Sequence, residues 1–343
     1  MENLLKKLIE SPSVSGSERN VRDLIAKEIK KHVDGIKIDK IGNLIAKKGS
    51  GSPKIMINAH MDEIGLMVKH IDDNGFIRFE TIGGWDRKIL QAQKFKIHGS
   101  KGIVIGVVGS KAIHLQEKEE EKKATKVKDM FMDIGAGNKK EVEKMGVNVG
   151  DFITQHGELN KLGGSMITGY GFDDRVGCLE LIEIVRNLEK FRGTLYAVGT
   201  VKEEIGLVGI RGSTFGINPD VVISLDTTIS GDTPDLKPYE AITAMGKGPV
   251  LLIKDAISIV QDEMKKWVQD VAKRNKIPLQ YDILSGGATD ASITPTIREG
   301  IPSLSILVPS RYTHTPVEVV DVKDVKNAVK LVTELVKTAH KYL

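Results

Sequence analysis

The sequence predicts an α/β fold, a mixed sheet with helices on both faces, into which a small β domain is inserted. Three observations lead there. From residue 165 to the end, apolar strand-like runs alternate with amphipathic helical stretches, the pattern of a sheet covered on both sides. The first 65 residues have the same texture. Between 66 and 164 helical periodicity gives way to short strands parted by turn signals. The expected division is therefore 1–65 with 165–343 as one domain and 66–164 as an insert.

The elements follow in order. Leu4, Leu5 and Leu8 place a helix over 2–9, and the Ser/Pro/Gly stretch 11–16 breaks it. Ser17-Glu18 opens a second helix, 18–33, with Val21, Leu24, Ile25 and Ile29 on its apolar face. Residues 36–47 alternate around Gly42-Asn43, a hairpin signal. A buried strand then runs to His60. Within the insert, turns fall at 72–75, 83–84, 98–99, 109–110 and 146–150, with a strand at 103–108 and a short helix near 138–145. This spacing predicts a small barrel or sandwich. The mixed charge run 116–128 reads as a solvated, mobile loop. Helices are expected at 174–190, 206–216, 260–275, 289–298 and 322–342, and strands at 194–201, 220–225, 249–253, 279–284 and 303–308.

Composition narrows the function classes. The 343 residues can form one large domain or two, and 40% apolar with 28% charged residues fit a globular chain. A net charge of +4 from nearly balanced charges, with no basic stripe interleaved with aromatics, argues against a nucleic-acid partner. No apolar run approaches membrane-spanning length, so no membrane association is expected. The single Cys178 rules out an internal disulfide and a cysteine-based zinc site and favours a cytoplasmic setting. Abundant Lys, Glu and Ile with little Gln points to a thermophilic source.

In α/β sheets ligands gather beyond the carboxyl ends of the strands, and the polar residues concentrate there. His60-x-Asp62 follows one strand, its two side chains leaving the same side of an extended backbone. Asp173-Asp174-Arg175 precedes a helix, Glu203-Glu204 follows the strand 194–201, and Asp226 follows 220–225. His314-Thr-Pro-Val-Glu318 follows 303–308. Taken singly these are helix caps or solvated turns. Together, two histidines and at least three carboxylates suit a pair of divalent cations, with one carboxylate left over to act as a base.

These motifs, in this order and spacing, together with Gly286-Gly287-Ala288-Thr289-Asp290, resemble the tetrahedral (TET) aminopeptidases over essentially the whole chain. That group of dinuclear metallo-aminopeptidases also carries the labels deblocking aminopeptidase, glutamyl aminopeptidase and endoglucanase. The resemblance implies a zinc-exopeptidase-like α/β domain and a barrel-like insert that serves dimerisation. It also implies two divalent ions per subunit, zinc or cobalt. His60 would bind one ion and His314 the other, with Asp173 bridging and Glu204 and Asp226 as terminal ligands. Which of the adjacent Asp173 and Asp174 faces the ions is open from the sequence, the family pattern favouring the first. Glu203 would be the general base acting on a bridging water activated by the ions, and Asp62 would orient His60. Gly286, Gly287 and Asp290 would line the substrate cleft, which is expected to accept neutral or apolar N-terminal residues. Oligopeptides are the implied substrates, and dimers assembling into a hollow dodecamer the implied quaternary state. The charge run 116–128 would lie near an opening of that particle. Thr313-His314-Thr315-Pro316 departs mildly from a Met-His-Ser-Pro pattern and leaves the histidine in place.

Two other chemistries compete. A metal-independent endoglucanase needs two carboxylates flanking a sugar, and sugar clefts usually stack aromatics, of which this chain has only 5%. Another dinuclear amidohydrolase would use the same ligands on a different substrate.

Overall fold

The computed structural model describes residues 1–118 and 123–343. Part of the charge run expected to be a mobile loop, residues 119–122, lies outside the described residues.

The predicted architecture is present: a mixed 11-stranded sheet with helices on both faces, and a closed six-stranded barrel. Four parallel strands form the centre of the sheet, in the order Gly193–Thr200, Lys54–His60, Val221–Ile229 and Ser303–Arg311. The hairpin Gly35–Ile38 and Leu44–Ser50 extends one edge. Beyond Ser303–Arg311 the sheet branches. One arm is Val250–Lys254 with Gln280–Ile283, and the other is Glu318–Asp321, Met166–Gly169 and Asn160–Lys161.

The strand Lys54–His60 shows why both faces are covered. Ile55, Ile57 and Ala59 point into the larger core, which the helices Glu2–Glu10, Arg19–Ile29, Phe172–Asn187 and Val322–Thr338 complete. Met56 points the other way, into a smaller core with Ile210 and Ile293 from the helices Val208–Ile217 and Asp290–Ile293. Period-two alternation of apolar side chains thus feeds two helical layers from one strand. This strand also pairs in parallel on both sides, so the chain departs to left and right of it and a crevice opens beyond His60.

Two expectations change in detail. The helix expected over 289–298 is α-helical only at Asp290–Ile293 and continues as a 3-10 turn, Thr294–Thr296, where Pro295 lacks the N–H that a longer helix needs. The strands Met166–Gly169 and Glu318–Asp321 were not expected. They pair antiparallel and set where the chain enters the Asp173 turn and where it leaves the His314 loop.

The barrel strands run from Gly65–Ile71 to Phe152–Gln155 and enclose Leu66, Val68, Phe79, Phe95, Ile97 and Ile153. Asn160–Lys161, inside the expected insert, already pairs with the large sheet.

A buried ion pair fastens the segment after His60. The Arg175 guanidinium donates to Glu63 Oε1 at 2.9 Å, to the Met61 carbonyl at 2.9 Å and to the Leu8 carbonyl at 3.1 Å, and both charged side chains are fully enclosed. Glu63 in turn accepts the Ser13 N–H. Glu63→Ala leaves a buried guanidinium without its counter-charge and is expected to cost about 3–5 kcal/mol of stability, read from denaturant unfolding. A loss below about 1 kcal/mol would show that the pair is not what fastens this segment.

Candidate active site

The site residues gather at the carboxyl edge of the central strands, most of them at a strand end or in the turn that follows. His60 closes the strand Lys54–His60, and Asp62 lies two residues on. Asp173 and Asp174, joined by a cis peptide, open the helix Phe172–Asn187 with non-helical backbone angles. Glu203 and Glu204 follow Gly193–Thr200, Asp226 lies within Val221–Ile229, and His314 follows Ser303–Arg311.

The structure brings these residues together around Asp173. Its Oδ1 lies 3.0 Å from His60 Nε2 and its Oδ2 3.4 Å from His314 Nε2. Asp226 Oδ1 lies 3.9 Å from His60 Nε2, and Glu204 Oε1 3.2 Å from His314 Nε2. Two groups result, His60–Asp173–Asp226 and Asp173–Glu204–His314, each with donor atoms within 4.8 Å of one another and with Asp173 in common. Asp174 faces the other way. Its carboxylate accepts the His60 N–H at 3.1 Å and the Gly177 N–H at 2.8 Å and is fully buried.

The tautomers follow from the opposite ring nitrogens. His60 Nδ1 lies 3.1 Å from the Asp62 carbonyl, and His314 Nδ1 lies 2.8 Å from the Gly84 carbonyl. A carbonyl only accepts, so in each neutral ring the proton sits on Nδ1 and Nε2 presents a bare lone pair. Both lone pairs are aimed at carboxylate oxygens. Lone pair against lone pair at about 3 Å is repulsive unless a positive charge lies between them.

The electrostatics carry the same demand. Six carboxylates, Asp62, Asp173, Asp174, Glu203, Glu204 and Asp226, converge here, and among the described residues no Lys or Arg forms an ion pair with any of them. Burial pushes the carboxyls of Glu203, Glu204 and Asp226 upward, and neighbouring carboxylates add to the effect. Burial also opposes the charge on Asp173, but the two imidazoles outweigh it and hold this carboxyl well below the usual range. Burial pulls the imidazoles down, yet their carboxylate partners prevail, raising His60 well above its ordinary value and His314 to about 12. In the bare protein, protons must sit where the residues would accept cations. Glu204 Oε1 is buried and accepts no well-aligned hydrogen bond, its nearest partner being the His314 ring. Imidazole and carboxylate donors with this surplus of negative charge fit divalent metal ions.

Glu203 differs from the rest. It lines the cleft, and among the described residues it belongs to neither histidine–carboxylate group and its carboxylate takes part in no hydrogen bond or ion pair. Its backbone N–H is held at 3.0 Å by Asp62 Oδ1, and that of Glu204 at 3.2 Å by Asp62 Oδ2, which also accepts the Ser15 hydroxyl at 2.6 Å. Asp62 therefore fixes the Glu203–Glu204 turn. Towards His60 it presents mainly its backbone carbonyl, with the carboxylate 3.6 Å from Nδ1.

Three supports were not legible as such in the sequence. Glu318 accepts the backbone N–H of His314 at 2.7 Å and of Asp173 at 3.3 Å, so it holds both halves of the site. Ser15 read only as part of a helix break. Gly83-Gly84 read as a turn of the insert, yet it brings the barrel to the site: a Cβ on Gly84 would lie 3.3 Å from His314 Nδ1, and one on Gly83 3.2 Å from Glu204 Oε2. Doubled glycine was the available signal, since close backbone approach needs it. Of the expected cleft residues, Gly287 lines the cleft, whereas Asp290 lies beneath it, accepting from Asn58 and Thr200, and Gly286 is not in the wall.

Comparisons with known proteins agree with this chemistry. The M42 glutamyl aminopeptidase family matches residues 42–331. A lysyl aminopeptidase of Pyrococcus furiosus is 37% identical, over 97% of this chain and 96% of its own. The TET aminopeptidase of the marine sediment archaeon Thaumarchaeota archaeon SCGC AB-539-E09 superposes with a TM-score of 0.96 at 37% identity, covering 100% of this chain and 98% of its own. The Pyrococcus horikoshii TET1 peptidase, which can assemble into a tetrahedron or a large octahedral shell, superposes with a TM-score of 0.87 at 34% identity over 98% of each chain. The endoglucanase alternative is the weaker one against these matches. The chain belongs to the M42 family and is a metal-dependent aminopeptidase, a hydrolase of peptide bonds.

Proposed function

We propose that the chain binds two divalent ions, zinc or cobalt, and removes N-terminal residues one at a time from oligopeptides. The observation that carries this reading is the position of Asp173 between two imidazoles whose Nε2 lone pairs both face it. His60 and Asp226 would hold one ion, His314 and Glu204 the other, and Asp173 both. Bound there, the ions supply the Lewis acidity that activates water and polarises a carbonyl. The residues of the chain do the rest. Glu203, whose carboxylate is uncommitted among the described residues, accepts the proton of the attacking water and returns it to the departing amine. Asp62 holds the turn that aims Glu203, and Glu318 holds the loops that carry Asp173 and His314. The surplus of carboxylates attracts a protonated α-amino group, which favours cleavage at a free N-terminus.

We further infer a dodecamer built from dimers, with the barrel as a contact surface. Ile103, Ile105 and Val107 alternate along the strand Gly102–Val108 with exposures of 59%, 45% and 40%, an apolar face that supports a covering partner. A charge-rich composition and a single buried cysteine support a thermophilic source and a cytoplasmic setting. Among the described residues no helix is long and apolar enough to cross a membrane.

One purified sample tests the reading. Its metal content, its particle mass and its action on free and N-acetylated oligopeptides are measured with and without chelator. The expected result is two ions per chain, a particle of twelve 37.6 kDa chains, and chelator-sensitive stepwise release from free peptides alone. Cleavage of acetylated peptides at a comparable rate would move the chain to another amidohydrolase chemistry.

A further inference from the structure

Deepening the proposed function, and resting on it, we infer that the substrate's first side chain enters a mainly aliphatic pocket whose wall carries no basic side chain. The enzyme therefore prefers N-terminal leucine and methionine and rejects glutamate, despite the name of the family. The cleft that contains the site measures about 250 Å³. This is below the roughly 300–1,000 Å³ of pockets that enclose larger ligands, so it suits one residue rather than a long peptide. One end is the histidine–carboxylate cluster. The remaining wall runs over the branch of the sheet and consists chiefly of Ile229, Leu252, Leu284 and Leu307. Leu252 and Leu307 are fully buried in a small cluster with Val250, against which Leu284 packs, and Ile229 stands at the rim.

The polar groups of this wall offer a carboxylate no cation, and the Thr313 hydroxyl, beside His314, is buried without a hydrogen-bond partner among the described residues. The Thr228 hydroxyl is committed to Asp282 at 2.7 Å, and Thr289 Oγ1 is shared with Ser305 at 2.8 Å. Asp255, among the described residues the one charged side chain in the wall beyond the cluster, is acidic. Its oxygens already accept the N–H groups of Ile257 and Ser258 and the Ser292 hydroxyl, so it contributes negative potential more than an open acceptor. Among the described residues no Lys or Arg lines the cleft. The neighbouring Lys254 gives its ammonium to the carbonyls of Asp255 and Leu284. An entering glutamate would lose its hydration, find at most hydroxyl donors and no cation, and face Asp255 as well as the cluster. An aliphatic side chain loses nothing and gains burial. A lysine is tolerated by the potential but must leave its ammonium short of partners, which places it between the two.

The test uses the metal-loaded enzyme as purified and tripeptides identical except for Leu, Met, Lys or Glu at the first position. The expected order of kcat/KM is Leu and Met above Lys, with Glu at least about 100-fold below Leu. Glu or Lys at or above Leu overturns the inference while leaving the aminopeptidase reading intact. Release from none of the four overturns both. Two rim substitutions locate the pocket, Leu284→Arg and Ile229→Arg. Ile229 is exposed and Leu284 is only partly buried against the Val250, Leu252 and Leu307 cluster, and each substitution is expected to raise the Glu/Leu ratio at least about tenfold. Ratios unchanged in both variants would remove this wall from the first-residue pocket.

Discussion

Replacing Glu203 by glutamine is expected to lower kcat by about 10²–10⁴-fold, the usual worth of a positioned general base, with metal content and unfolding midpoint unchanged. The expectation follows from what the side chain does not touch. Among the described residues its carboxylate makes no hydrogen bond and belongs to neither histidine–carboxylate group, so an amide of the same shape breaks none of these contacts. The turn is held from behind, by Asp62 through the two backbone N–H groups, and these survive the change. What disappears is the capacity to take a proton. Single-turnover cleavage of a free tripeptide, with ions counted on the same sample, reads both halves. Loss of an ion would exchange the roles of Glu203 and Glu204, and near-normal kcat would give proton transfer to another group.

Much of this site was readable from residue order because of how the sheet is built. Parallel strands end together, so a histidine or carboxylate after each of several strands must meet its counterparts at one edge. His60, Glu203, Glu204, Asp226 and His314 were found in this way. The adjacent Asp173 and Asp174 could not be separated by position alone. Their difference lies in three dimensions, where one side chain reaches the imidazoles and the other turns back to the His60 and Gly177 amides. Contacts made through backbone were hidden for a different reason. The Gly84 carbonyl that orients His314 comes from the barrel, 230 residues away in sequence, and a carbonyl leaves no side-chain signature. Glu318 carries no side-chain signal of its role because its partners are likewise backbone N–H groups. The strands Met166–Gly169 and Glu318–Asp321 were missed because four residues are too few to show alternation, and each is stabilised mainly by its partner. The barrel's strands were legible as a class from turn spacing, whereas their closure depends on pairings far apart in the chain, such as Leu66 with Ile153.

Asp173→Asn is expected to have the largest effect on metal binding. The other proposed ligands each belong to one group of donors, and Asp173 belongs to both. An amide keeps the size of the side chain but removes its charge, and one of its two atoms becomes a donor aimed at an imidazole or a cation. The variant should retain at most one ion per chain after dialysis and lose about 10³-fold or more in kcat/KM. His314→Ala supplies the contrast. It removes a donor from one group only, so one ion should remain. Asp174→Asn supplies the second contrast. That carboxylate is engaged by backbone N–H groups and not by the imidazole Nε2 atoms, so its loss should lower the unfolding midpoint more than the ion count. If Asp173→Asn still holds two ions while Asp174→Asn does not, the bridging role passes to Asp174. If all three variants retain two ions, the cations do not lie between these imidazoles, and the lone pairs facing Asp173 must be reconciled by protonation alone.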